Sequence, residues 1–232
     1  MTAPLFTVPA APLVPLAAEA AGYPVRRIFC VGRNYAAHAA EMGNEVDREA
    51  PFYFTKSAQA ICLSGAEITY PPGTQDCHHE MELVVALGAA AFRVTEAQAM
   101  DAVLGYACGI DLTRRDLQAA AKDKRRPWDL GKDFEDSAVI AAITRKEEFG
   151  PLGDQAIRLS VDGMLRQDAR LSDMIWSVPE VIADLSRYYH LGPGDLIYTG
   201  TPAGVGPVVP GNVLLGEIDG LTPLHLSITA AQ

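Results

Sequence analysis

The sequence predicts an α+β fold that is mostly β, with a few short helices set among many short strands. Three observations predict it. The apolar runs are short, and most end at glycine or proline. Asp162-Gly163 separates two strand-like runs, the mark of a two-residue hairpin turn. Strand and helix patterns do not alternate regularly, which disfavours a doubly wound sheet or barrel. With 232 residues, 49% of them apolar, the chain suits one sizeable domain.

The elements follow in order. Residues 1–24 are punctuated by proline and predict an extended segment ahead of a domain over 25–232. Residues 25–31 read as a strand entering Gly32-Arg33-Asn34-Tyr35. Residues 35–42 are alanine-rich and predict a short helix ending at Gly43. Residues 43–49 are polar enough for a lid. Strands are predicted over 52–56 and 67–70, the second stopped by Pro71-Pro72-Gly73. Residues 80–87 have strong strand character and stop at Gly88. Residues 95–103 predict a helix capped by Thr95, with Gln98 three residues on. Residues 104–110 read as a buried strand with Asp111 at its end. Thr113 then predicts the cap of a helix reaching about Lys124, with Asp116 in its first turn. The hairpin pairs 157–161 with 164–167. Ser177-Val178-Pro179-Glu180 is a capping box whose helix has Val181, Ile182, Leu185 and Tyr188 on one face. The last forty residues read as short strands split by glycine and proline.

Composition narrows the function. A formal charge of −10 is the opposite of a nucleic-acid footprint. One basic run, Arg114 to Arg126, reads either as a solvated helix face or as a positive rim near an anionic substrate. No apolar run approaches the roughly 18 residues that span a bilayer. The N-terminus lacks the basic start and continuous apolar stretch of a signal peptide. Cys30, Cys62, Cys77 and Cys108 form no C-x-x-C pair and suit a reducing, cytoplasmic setting.

Glu80 and Glu82 stand two apart on a predicted strand, so both side chains point to one face. Two adjacent carboxylates repel unless that face is wet or a cation lies between them. Met81, Leu83 and Val85 make the other face apolar. Asp111 emerges where a buried strand meets a helix start. Three carboxylates form a hard oxygen site that suits Mg²⁺, Mn²⁺ or Ca²⁺ better than Zn²⁺. By spacing alone, E-x-E is also common on solvated strand faces.

Five stretches, in order, carry a wider resemblance. They are Cys30-Val31-Gly32-Arg33-Asn34-Tyr35, His78-His79-Glu80-Met81-Glu82, Gly109-Ile110-Asp111 through Arg115-Asp116-Leu117-Gln118, Pro127-Trp128-Asp129-Leu130-Gly131-Lys132, and Thr199-Gly200-Thr201-Pro202. Together they resemble the fumarylacetoacetate hydrolase family, and within it the enzymes acting on fumarylpyruvate and other acylpyruvates. The resemblance implies a mixed β-roll around a deep site, a homodimer, and Mg²⁺- or Mn²⁺-dependent hydrolysis of a carbon–carbon bond in a β-diketo acid. It places the metal ligands on Glu80, Glu82 and Asp111, and a catalytic pair on His38 and Glu41. Two positions depart from the family pattern. Ser57 follows Lys56 where proline is usual. Asp133 follows Lys132 where a small residue is usual, and an acid there can pair with the lysine.

The residue types suit that chemistry. Hydrolysis needs a base for water, and imidazole titrates near neutrality. His38 and Glu41 are three apart on a short helix and share a face, so Glu41 can orient the ring. Lys56, Gln118 and Lys132 are candidates for polarising the second carbonyl or binding a distal carboxylate, and either lysine alone also reads as a surface charge. Gly131 lets the backbone approach a ligand closely. Arg33 can meet an anion. Thr199, Gly200 and Thr201 read as a turn offering N–H and hydroxyl groups to a substrate carboxylate, or as an ordinary tight turn. The expected partner is a small anionic keto acid. Decarboxylation or tautomerisation of an oxaloacetate-like acid, or isomerisation of a 2-hydroxy-diene-dioate, is the rival chemistry, because it uses the same metal and enolate. A ligand-binding scaffold is the non-enzyme rival, against which the intact carboxylates and His–Glu pair argue.

Overall fold

Two apolar strands, Met81–Leu87 and Val103–Asp111, are buried along almost their whole length and pair antiparallel. A strand wet on one face would alternate apolar with polar residues, and these do not. They lie at the centre of an eight-stranded sheet in the computed structural model, which describes residues 5–41, 43 and 48–231. On one side follow Asp195–Tyr198, Arg27–Gly32 and the edge strand Phe52–Lys56; on the other, Ala138–Ile140 and Ile61–Leu63, while the eighth strand, Thr144–Arg145, pairs with the start of Val103–Asp111 off this path. A five-stranded sheet carries the expected hairpin, Ala156–Val161 with Met164–Arg170, followed by Val213–Ile218, Leu224–Thr229 and Ala66–Thr69. A three-stranded sheet joins Thr113–Arg114, Cys77–His79 and Gly206–Val208. The helices are short, the longest described being Arg115–Asp123. The fold is α+β and mostly β, as expected.

Both faces of the large sheet carry a core. Leu83, Val85 and Leu87 enter one apolar cluster with Tyr106, Ile110 and Ile197, while Val84 and Ala86 enter the other with Ile28, Cys30 and Tyr198. The expectation of a single apolar side on this strand is thereby corrected: Glu82 shares its face with buried Val84 and Ala86. The proline-rich start joins the second core. Leu13–Pro15 pairs with Gly22–Pro24, and Val14, Leu16 and Tyr23 are buried there.

Local differences have local causes. The helix expected over 95–103 stops early, at Glu96–Ala99 plus one 3₁₀ turn, because Val103 already pairs in the central sheet. Thr113 is no cap: it pairs with His78 in a two-residue strand, and the helix begins at Arg115. The helix Val178–Leu185 ends before Tyr188, which is exposed. Its capping box forms, with the Glu180 carboxylate accepting from both the Ser177 N–H and hydroxyl at 2.7 Å. Of the segment read as a lid, residues 44–47 lie outside the described residues.

Candidate metal centre and active site

The central strands bring three acids together. Glu80 precedes the strand Met81–Leu87, Glu82 is on it, and Asp111 ends the neighbouring strand. A carboxylate oxygen from each lies within 4.8 Å of the others, and all three residues are buried. Register places them so: Glu82 faces Gly109, and the Asp111 N–H donates to the Glu80 carbonyl at 2.8 Å.

Three cations surround the acids. Lys132 Nζ donates to Glu80 Oε2 at 2.6 Å, Asp111 Oδ2 at 2.7 Å and Thr113 Oγ1 at 2.7 Å. Arg115 donates to Glu80 Oε1 at 2.5 Å and to Gln118 Oε1 at 2.7 Å. Lys56 Nζ stands 2.8 Å from Asp111 Oδ1, off the axis of a hydrogen bond, and donates to the carbonyls of Lys132 and Leu112. Burial pushes the Glu80 carboxyl up, but Lys132 and Arg115 outweigh it and hold it below the usual carboxylate range. Burial pulls the Lys132 ammonium down, yet Asp111 and Glu80 hold it above the ordinary lysine value. Glu82 differs. Burial and then the charges of Asp111 and Glu80 raise it well above the carboxylate range, and its described donor is the Gly200 N–H at 2.8 Å.

This donor set fits a divalent cation. Asp111 Oδ1 is buried with no hydrogen-bond donor, and burial beside two other acids disfavours the charge of Glu82 unless a cation joins them. All the converging ligand atoms are oxygens, the choice of Mg²⁺ and Mn²⁺.

The helix Ala36–Glu41 supplies the second group. His38 is buried, and its Nδ1 lies 3.2 Å from Glu41 Oε2. Glu41 is itself held by the Gly204 N–H at 3.0 and 3.2 Å. His38 lines one cavity with Glu80, Arg115, Gln118 and Lys132. That cavity holds about 30 Å³, room for a water. A larger hollow of about 880 Å³, walled by Arg93, Trp176, Glu180 and Tyr188, contains none of these groups.

Other expected site residues fall differently. Arg33 lines the cavity, whereas Lys56 is sealed behind Asp111 and faces the Phe134 ring. In the turn at 199–201, the polar groups are engaged within the protein. Thr199 Oγ1 donates to the Leu83 carbonyl at 2.9 Å, Gly200 holds Glu82, and Thr201 Oγ1 accepts from Gln167. Gly200 sits at φ +96°, and a Cβ there would meet Asn34 Cβ at 2.7 Å, so glycine is required. Gly131 makes its close approach to the Gln118 backbone, not to a ligand. Asp133 does not pair with Lys132. It accepts the Ser57 N–H at 2.8 Å, so the two departures from the family pattern meet each other.

Sequence reasoning missed Arg115 and Thr113, which share Glu80 and Lys132 with the acids. Arg115 was findable, being three residues before Gln118 and so on its helix face. Thr113 was hidden by its capping propensity. Asn34 was missed too: it clamps Trp176 through both its amide groups and reaches the Thr199 carbonyl at 2.8 Å.

A family model described as fumarylacetoacetate hydrolase C-terminal matches residues 27–229. A fumarylpyruvate hydrolase from Ralstonia sp is 50% identical over 194 residues, spanning 82% of this chain and 100% of that protein. A mitochondrial oxaloacetate decarboxylase from Dictyostelium discoideum is 41% identical, over 84% of this chain and 90% of the relative. The crystal structure of fumarylpyruvate hydrolase from Pseudomonas aeruginosa with Mn²⁺ and pyruvate superposes with a TM-score of 0.95. It is 44% identical and covers 98% of this chain and 100% of its own.

Proposed function

Because the chain belongs to the fumarylacetoacetate hydrolase family, we propose that it hydrolyses the carbon–carbon bond of an acylpyruvate, fumarylpyruvate first among them, yielding fumarate and pyruvate. The observation that carries this reading is that His38, backed by Glu41, lines the same cavity as Glu80 of the acid cluster, since a hydrolase needs a water base and the rival reactions do not. The 50% identical fumarylpyruvate hydrolase supports the substrate class.

Glu80, Glu82 and Asp111 would hold the cation, which when bound supplies Lewis-acid polarisation of the keto acid and offsets enolate charge. The chain's own groups do the rest. Glu41 takes the His38 Nδ1 side, which leaves Nε2 to accept a proton from water. That water adds at C4, the C3–C4 bond breaks, its electron pair leaves as the pyruvate enolate, and the proton held on His38 returns to C3 to give pyruvate. Glu41, fixed by the Gly204 N–H, stabilises the imidazolium that forms. Gln118 and Arg115 face the cavity and position substrate oxygens. Lys132 holds Glu80 and Asp111 in place and lines the same cavity.

A second reading is decarboxylation of an oxaloacetate-like acid, favoured by the match to the Dictyostelium discoideum enzyme. Assaying fumarylpyruvate, acetylpyruvate and oxaloacetate at fixed Mn²⁺ separates the two. We expect His38→Ala to lower fumarylpyruvate kcat by about a hundredfold or more. Hydrolysis at the wild-type rate in that variant would remove His38 as the base. The assembly is proposed as a homodimer, which light scattering on the purified chain tests directly. Among the described residues, no helix is long and apolar enough to cross a membrane.

A further inference from the structure

The helix Arg115–Asp123 sets Arg115, Gln118 and Lys122 at i, i+3 and i+7, one above another on a single face. All three line the active-site cavity. Arg115 and Gln118 are engaged there with Glu80 and with each other. Lys122 is not: among the described residues its ammonium meets no acid and lies over the Trp128 ring, 5.1 Å from the centroid. Burial and then the charges of Arg33 and Arg115 pull that ammonium below the ordinary lysine value. Arg33 lines the cavity as well, and no described carboxylate pairs with it.

Lys122 is partly buried and Arg33 is exposed beside it at the cavity mouth, so two like charges face one opening with no described acid between them. The backbone invests in the arrangement too. Arg33 sits in the left-handed region at φ +58°, a conformation that costs a non-glycine residue energy. Asn34 anchors that bend with hydrogen bonds to Trp176 and Thr199 at 2.6 to 2.9 Å. Between Lys122 and Lys132 runs an aromatic wall. Trp128 and Phe54 have centroids 6.1 Å apart, with Lys122 over the first ring and Lys132 over the second, at 4.9 Å. One end of the wall is therefore at the carboxylate cluster, and the other ends in cations without a counter-ion.

We infer that Lys122 and Arg33 bind a carboxylate at the far end of the acyl chain, and that the Phe54–Trp128 wall takes the planar unsaturated carbons leading to it. The site thereby selects acylpyruvates whose acyl group ends in a carboxylate over those with an uncharged end. This rests on the acylpyruvate reading above and adds the residues that choose among acylpyruvates. It also gives part of the basic run at 114–126 a task.

The test compares fumarylpyruvate, its distal methyl ester and acetylpyruvate in the Mn²⁺-loaded enzyme and in Lys122→Met and Lys122→Arg. The wild type is expected to prefer the free acid over its distal ester by about tenfold or more in kcat/KM. Lys122→Met should lower the fumarylpyruvate-to-acetylpyruvate ratio of kcat/KM by about tenfold, mainly through KM, and Lys122→Arg should restore most of it. Equal losses on both substrates, or a wild type indifferent to esterification, would overturn the assignment. The ester comparison needs no variant and decides the matter even where Lys122→Met does not fold. A wild type that hydrolyses none of the three compounds would instead sink the acylpyruvate reading itself.

Discussion

Lys132 is the counter-ion on which the acid cluster depends. Its ammonium bridges Glu80 and Asp111, and all three side chains are almost wholly buried. Removing one partner of a buried ion cluster leaves uncompensated charge, which costs about 3 to 5 kcal/mol. Lys132→Met is expected to destabilise the metal-free protein by about 3 kcal/mol in urea unfolding. Mn²⁺ should recover more stability in the variant than in the wild type, because the cation then becomes the main counter-charge to two acids. Equal Mn²⁺ effects in both proteins would show that Lys132 and the metal do not share those acids. Glu82 shows how far a residue's chemistry depends on neighbours. As one acid in E-x-E it is ordinary; next to Asp111 and Glu80, in a dry site, its charge is disfavoured. Glu82→Gln is accordingly expected to weaken Mn²⁺ binding by about tenfold or more in calorimetry.

The edge strand Phe52–Lys56 and the short helix Asp129–Lys132 each deliver a lysine to the acids, and the Ser57–Asp133 hydrogen bond ties their ends together. Proline at 57 would remove the donor, yet Ser57 has φ −65°, the value proline prefers. The preceding Lys56 is in a strand, which proline also tolerates. Loss of one partly exposed hydrogen bond and gain in chain stiffness oppose each other at about 1 kcal/mol each. Ser57→Pro is therefore expected to change stability by less than about 1 kcal/mol, measured by thermal unfolding. A much larger loss would mean that this tie holds the two lysines in register. The element boundaries that sequence missed share one cause. Val103 and Thr113 have the propensities of a helix end and a helix cap, but each is claimed by a strand partner distant in sequence.

Across the whole molecule, the four cysteines are free and buried. Burial pushes the Cys62, Cys77 and Cys108 thiols up to about 12 and Cys30 well above its usual value. At pH 8 all four stay protonated and covered, so Ellman's reagent is expected to modify none in the native protein and all four after unfolding. Rapid native labelling would reveal an opening of the central sheet, where Cys30 and Cys108 lie. By itself the sequence determined the β-rich class, the hairpin at Asp162-Gly163 and the capping box at Ser177, which depend on residue type and short spacing and so act locally; its ordered motifs, through the family they resemble, singled out the acids and the His–Glu pair as candidates. Only the tertiary structure decided that Glu82 is buried on a two-faced sheet, that Lys56 is sealed behind Asp111, and that the 199–201 turn spends its donors on the protein. It alone set Asp133 against Ser57 and left Lys122 facing the cavity without an acid. The physical reason is that charge, burial and hydrogen-bond partners at a site come from residues up to more than a hundred positions apart, as between Glu82 and Gly200, and no local pattern encodes which of them will meet.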